Sequence, residues 1–216
     1  MHASTNRRPA QPIQLYRHVV SGHAHRVQLM LSLLELPFDM VEVDLLAKAQ
    51  KSPEFLALNA FGQVPVIQDG DVTLADSNAI LVYLATRYAA PDTWLPSDAL
   101  GAAQVQRWLS VAAGQIAFGP AAARIIQLFK LPSDPSDAIH RANQLFAVMD
   151  AHLQPSGYLV GSAPTIADIA CYSYIAHAPE GNVALQPYPQ LRAWLARIEA
   201  LPGFVPMVQT RIGLAA

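Results

Sequence analysis

The sequence predicts a small α/β domain followed by an all-helical one. Three observations carry that prediction. Strand-like and helix-like stretches alternate between Ile13 and Tyr88, the periodic stretches beyond residue 99 have helical spacing, and a proline-containing break, APDTWLPSD (90–98), separates the two regimes. The expected organisation is a disordered tail over 1–12, an α/β domain over 13–88, a linker over 89–98 and a helical domain over 99–216.

Each element has a local reason. IQLYRH (13–18) is a short strand, and a loop leads from it into HRVQLMLSLLEL (25–36), apolar at helical spacing and stopped by Pro37. FDMVEVDL (38–45) alternates apolar and polar residues, as a half-buried strand does. In SPEFLALN (52–59), Ser52 caps a helix that has Pro53 at its first position and Glu54 behind it. VPVIQDGDVTLAD (64–76) reads as two strands across an Asp69-Gly70 turn, and SNAILVYLATRY (77–88) as a helix. The helical half contains AAQVQRWLSVAAGQIAFG (102–119), AAARIIQLF (121–129), SDAIHRANQLFAVMDAHL (136–153), TIADIACYSYIAHA (165–178) and PQLRAWLARIEAL (189–201), with Pro and Gly between them. Thr165 and Asp168 form a capping box.

Composition narrows the function classes. Of 216 residues, 52% are hydrophobic and only 14% charged, against roughly 25% charge in an average soluble domain. So little surface charge points to a surface covered by a second copy of the chain, a homodimer. A net charge of −2 offers no basic face for nucleic acid or anionic lipid. One cysteine, Cys171, leaves no internal disulfide and no CxxC pair. No apolar run reaches the roughly 18 residues of a membrane span, and MHASTNRRPAQP has no apolar core of a secretory signal. The expected compartment is the cytoplasm.

The strand pattern FGQVPVIQDG (61–70) holds a proline in its middle. Pro65 cannot donate to a ladder, so it marks either a trans entry at a sheet edge or a cis Val64-Pro65 bond. The cis form would turn the Val64 N–H and C=O outward to pair with an extended peptide. The helix at Ser77 offers free N–H groups to a carboxylate, with the Asp76 carboxylate beside it for an ammonium. Lys51, with Gln50 beside it and Gln63 nearby, suits a second carboxylate. The implied ligand is a short peptide with one zwitterionic and one anionic end.

SPEFLALNAFGQVPVIQDGDVTLADSNAILVYLATRY (52–88) and TIADI (165–169) resemble the cytosolic glutathione transferases, over nearly the whole chain beyond the tail. The resemblance implies a thioredoxin-like N-terminal domain, an all-α C-terminal domain, and glutathione as co-substrate with no metal. It implies a cis Val64-Pro65 bond whose valine pairs with the cysteinyl part of glutathione. Asp76 and Ser77 would hold the γ-glutamyl end, Gln50 and Lys51 would lie near the glycyl carboxylate, and Gln63 would sit beside the proline turn. Asp76 stands where many members have Glu or Gln. In SGHAHRV (21–27), Ser21 falls where phi-like and theta-like members carry a catalytic serine that stabilises the glutathione thiolate. Its other reading is a helix cap. His23 is the rival, as an imidazolium beside the thiolate or as a solvated loop residue. Tyr16 reads as packing and Cys171 as an inert buried thiol. Trp108, Phe118, Arg124 and Phe129 are candidates for an apolar second-substrate pocket. The expected activity is transfer of the glutathionyl thiol to a hydrophobic electrophile. A ligand-binding module without transferase activity, and a glutathione-dependent isomerase, dehalogenase or peroxidase, stay open beside it.

Overall fold

The computed structural model describes residues 8–154 and 156–216, so the first seven residues of the expected tail lie outside the described ones. Strands β1 (Ile13–Arg17), β2 (Phe38–Glu42), β3 (Val66–Asp69) and β4 (Val72–Ala75) form one sheet in the order β2-β1-β3-β4. β1 and β2 run parallel, which requires a crossover, and helix α1 (Gly22–Leu33) supplies it. β3 runs antiparallel to β1 and β4.

Alternation along the strands sorts residues between two faces. Ile13, Leu15 and Ile67 point into the main core with α1 and with α3 (Ser77–Tyr88). Tyr16 and Val66 point the other way, against Phe55 of α2 (Pro53–Leu58). Tyr16 is the packing residue expected, edge-on to Phe55 with its hydroxyl donating to Gln68 at 2.8 Å. The β3–β4 turn lies one residue later than the sequence suggests: Asp69 pairs with Val72, and Gly70 takes the positive φ of the loop. The Asp69 carboxylate instead accepts from Tyr83 and Tyr88, tying the hairpin to α3.

The helical half holds α4 (Ala99–Val111), α5 (Ala122–Leu128), α6 (Ser136–Leu153), α7 (Ile166–Ala176) and α8 (Pro189–Glu199). Gly119 and Pro120 mark the join between two helices, as the sequence suggests, with non-helical backbone at Gly119 (φ −102°, ψ −105°). α4 runs through a π-type stretch, Ala112–Ala121, straight into α5, and the break is confined to a kink at Gly119. A widened turn absorbs a residue whose N–H is missing without opening a loop. The resulting run, Ala99–Leu128, is long and apolar enough to cross a membrane, with mean hydropathy 1.3. It is not an unbroken apolar run, since Gln104, Gln106, Arg107, Gln115 and Arg124 interrupt it, and it is kinked at Gly119. Here the run packs on α6 and α7 and carries the buried Arg124.

The segment before α4 is also more ordered than a linker needs to be. The Trp94 carbonyl accepts from Ile166 N–H at 2.9 Å, and Trp94 and Leu95 pack on the core. α7 is apolar on all sides and buried from Ile166 to Ile175, as a central helix must be. One apolar core runs from Ile13 through α7 to Ile198, so the two halves share an interior.

Asp168 anchors α7. Its carboxylate accepts from Thr165 N–H at 2.8 Å, Leu159 N–H at 3.0 Å, Trp194 Nε1–H at 2.9 Å and the Thr165 hydroxyl at 3.1 Å. This is a capping box that also fastens a loop and α8. Each buried donor left orphaned costs about 1–3 kcal/mol. Asp168→Ala is therefore expected to lower stability by more than about 2 kcal/mol by urea unfolding, with turnover per folded molecule unchanged. A fully stable but inactive variant would refute the structural role.

Candidate functional site

The site is built on the loop SGHAHRV, which ends β1 and opens α1. Ser21 is the cap of α1, its Oγ accepting from Ala24 N–H at 3.2 Å. Among the described residues its own O–H finds no acceptor, and Ser21 lines a cleft of about 650 Å³. A hydroxyl accepts through its lone pairs while donating its proton elsewhere, so capping leaves the donor free. Gly22 follows because nothing larger fits. A Cβ there would fall 2.8 Å from Cε1 and Cζ of Tyr174, a buried residue of α7.

The opposite wall carries Gln63, Val64, Pro65, Asp76 and Ser77. The Val64-Pro65 bond is cis. Among the described residues neither the N–H nor the C=O of Val64 has a backbone partner, while Gln63 O is held by Asn59 Nδ2 at 2.8 Å. Asp76 adopts φ 70° and ψ 121°, a conformation that costs a non-glycine residue about 1–3 kcal/mol. Its Oδ1 accepts from Asn78 and Ala79 N–H, both at 2.9 Å, which caps α3 and leaves Oδ2 free. Gln50 lines the cleft with a buried, unpaired Oε1. Lys51 stands at the rim, where Nζ donates to Phe61 O at 2.9 Å.

The electrostatics of the cleft floor come from residues that the sequence does not single out. Arg26 is fully buried, with Nη1 donating to Ser77 Oγ at 3.3 Å and to Asn78 Oδ1 at 3.0 Å. Its Nε and Nη2 have no partner among the described residues, and no carboxylate pairs with it there. Burial lowers its pKa. Because arginine stays protonated, a positive charge without a salt-bridge partner lies behind Ser77 of the cleft wall, with the Asp76 carboxylate acting on it from farther off. Burial and that charge also hold His23 neutral, with a pKa of about 3. An imidazolium at His23 is therefore not what this cleft presents. The ring stands edge-on to Tyr174 at 5.0 Å, with Nδ1 3.4 Å from Ser77 Oγ.

From the helical half, Arg124 reaches the same cleft. It pairs with Glu180 at 2.7 Å, both side chains buried, and donates through Nη1 to Val20 O at 2.8 Å. Burial pushes Glu180 up, but bonds from His177 and Thr210 and the Arg124 charge outweigh it and hold it at about 2. Of the apolar candidates, Phe129 lines the cleft with Arg124. Trp108 is core, against His152 at 4.9 Å, and Phe118 is 67% exposed away from the cleft. Cys171 is buried and its thiol pushed well up by burial, so it is inert. Among the described residues no cluster of three or more His, Cys, Asp or Glu side chains is arranged to hold a metal.

Ser21, His23, Gln50, Gln63, Val64, Pro65, Asp76 and Ser77 thus line one cleft, and Lys51 does not. The sequence reading lacks Arg26 and Tyr174. Arg26 sits inside the quoted loop, but burial without a counterion leaves no mark in sequence. Tyr174 arrives from α7, far along the chain.

Burial also holds His25 neutral, with a pKa of about 4, although the Val205 carbonyl pulls the other way. Its Nε2–H donates to Val205 O and its Nδ1 accepts from Ser173 Oγ, both at 2.9 Å. The folded pKa is depressed, so the stability is present above about 6.5 and is lost as pH falls toward about 4. Urea unfolding is expected to show stability falling by about 1.4 kcal/mol per pH unit for each neutral-buried imidazole across that window. Equal stability at about pH 7 and about pH 5 would contradict it.

Comparison with known proteins agrees with this arrangement. Residues 11–86 match the family described as "Glutathione S-transferase, N-terminal domain", and residues 113–202 match "Glutathione S-transferase, C-terminal domain". The chain is 38% identical to "Glutathione S-transferase 3" of Zea mays, over 89% of this chain and 91% of that one. It is 30% identical to "Glutathione S-transferase theta-2" of Homo sapiens, over 88% and 82%. Among solved structures, a possible glutathione S-transferase from Rhodopseudomonas palustris superposes with a TM-score of 0.85 at 32% identity, covering 93% of this chain and all of that one. A glutathione transferase homologue from Drosophila mojavensis, with bound glutathione, gives a TM-score of 0.81 at 31% identity, covering 88% and 89%.

Proposed function

We propose, from the premise that this chain belongs to the cytosolic glutathione transferase family, that Ser21 activates the glutathione thiol for attack on a hydrophobic electrophile. The chain is a glutathione transferase and glutathione is its co-substrate. The observation that carries the assignment of roles is that Ser21, whose O–H has no acceptor among the described residues, lines the same cleft as Val64, whose backbone N–H and C=O have no backbone partner among them.

In this reading the cysteinyl backbone of glutathione pairs with Val64. The γ-glutamyl carboxylate meets the first N–H groups of α3 at Ser77, and its ammonium meets the free Oδ2 of Asp76. Gln50 offers its amide to the glycyl end, with Gln63 alongside and Lys51 as a rim charge. The thiol then lies at the start of α1. A thiol of pKa about 8.5 is only a few per cent ionised at pH 7, and lowering that by about 2 units takes about 2.7 kcal/mol of differential stabilisation. A charge-assisted hydrogen bond contributes about 1.5–3 kcal/mol, and the helix terminus adds to it. The buried charge of Arg26 acts in the same direction. The thiol proton leaves to solvent, and the thiolate attacks an electrophile held against Ile125, Leu128 and Phe129.

The same reading includes a two-fold dimer, supported by the 14% charge content, and a cytoplasmic location. Sedimentation as a monomer at micromolar concentration would count against the dimer. A panel of electrophiles separates transfer from isomerisation, dehalogenation and peroxide reduction.

Ser21→Ala is expected to raise the apparent pKa of bound glutathione and to cut turnover by a factor on the order of ten or more, with glutathione affinity changing less. The cap is lost too, at about 0.5–2 kcal/mol of stability, so the pKa is read on the folded protein from thiolate absorbance against pH. His23→Ala should leave the thiolate pKa low. If the serine variant keeps its thiolate and the histidine variant loses it, the roles are reversed.

A further inference from the structure

We propose that Tyr174, from the helical half, donates a second hydrogen bond to the glutathione thiolate beside that of Ser21. This rests on the reading that the thiol lies at the start of α1. Tyr174 is 3% exposed yet lines the cleft, so its ring is held by packing where the ligand space begins. The ring stands directly over Gly22, the residue after Ser21. Cζ, the carbon that bears the hydroxyl, lies 2.8 Å from where a Gly22 side chain would begin. Position 22 is thus kept empty by this ring.

The surroundings bear on the hydroxyl. The backbone N–H groups of Gly22 and His23 draw the Tyr174 pKa down from close by, without a formed hydrogen bond among the described residues. They belong to the first turn of α1, where amides have no intrahelical acceptor. Beside those donors, the phenol has its proton left to give away. Arg26 lies over the ring, 6.0 Å from its centroid, and Arg124 adds positive potential. Both favour negative charge at this point. Burial nevertheless raises the Tyr174 pKa, so the group is a protonated donor and not a base. No proton is transferred from it: the thiol proton goes to solvent, and Tyr174 shares its own in a hydrogen bond to sulfur.

The alternative is that the Tyr174 hydroxyl only caps the free amides of α1. Tyr174→Phe separates the two, because it keeps the ring that packs on Gly22 and His23. The expected result is a rise of about one unit or more in the pKa of bound glutathione, with a fall on the order of tenfold in kcat/KM below that pKa and little change in glutathione affinity by calorimetry. Tyr172→Phe, which removes the hydroxyl bound to Glu199 on the far side of α7, should leave the thiol pKa in place. An unchanged thiol pKa in a less stable Tyr174→Phe protein would overturn the proposal and leave only the cap. A difluorotyrosine at 174 is the second test and keeps the fold: a more acidic phenol should lower the thiol pKa further, and no movement would refute donation. If the unaltered protein binds no glutathione or shows no thiolate absorbance, the site reading itself falls. If it shows both and the 174 variants change nothing, only the role of Tyr174 does.

Discussion

The close approach of α1 to α7 is the contact on which the rest of the site depends. It is possible because residue 22 has no side chain and because α7 presents a flat aromatic ring to it. α7 is apolar all round and buried along its length, so it lies at the centre of the molecule and fixes whatever packs on it. The start of α1 is therefore held from below by the helical half, not only by the sheet that precedes it. Arg124 reinforces this from α5, donating to Val20 O just before Ser21 while Glu180 holds its other side. Helical residues position the loop of the α/β half.

The same packing sets the electrostatics. Taking Arg26 out of water without a carboxylate partner is costly for stability, since buried charges are normally paired. What it provides is a buried positive charge on α1, behind Ser77 of the cleft wall. Burial and the neighbouring Arg26 charge keep His23 and His25 neutral. A histidine cannot hold a charge there, whereas an arginine can. Asp76 adds local strain on the facing wall, where a non-glycine residue at φ 70° places its carboxylate against α3. Strain at Asp76 and a buried charge without a salt-bridge partner thus lie beside one cleft.

Much of the α/β half was legible along the chain. Period-two alternation in FDMVEVDL, the cap and proline of SPEFLALN and the proline in FGQVPVIQDG are local signals, and local sterics produce them. One local reading moved. The hairpin turn shifted by a residue because the Asp69 carboxylate is drawn to Tyr83 and Tyr88 of α3. Gly119-Pro120, by contrast, breaks the helical run where its residues say it should, as a kink with no loop. In the site, the residues near Pro65 and Ser77 could be proposed from chain order, since each pair of neighbours acts together.

By itself, then, the sequence determined the two-part architecture, the strand proline, the capped starts of α1, α2 and α3, and the polar residues of one wall, because all of these are written in adjacent residues. The tertiary structure decided what lies beneath Ser21. Tyr174 is 153 positions further on, and only folding brings its ring over Gly22. The burial of Arg26 and the neutrality of His23 are likewise properties of the space around them. Solvent exclusion and proximity are set by the whole packed chain, and no short stretch of sequence records them.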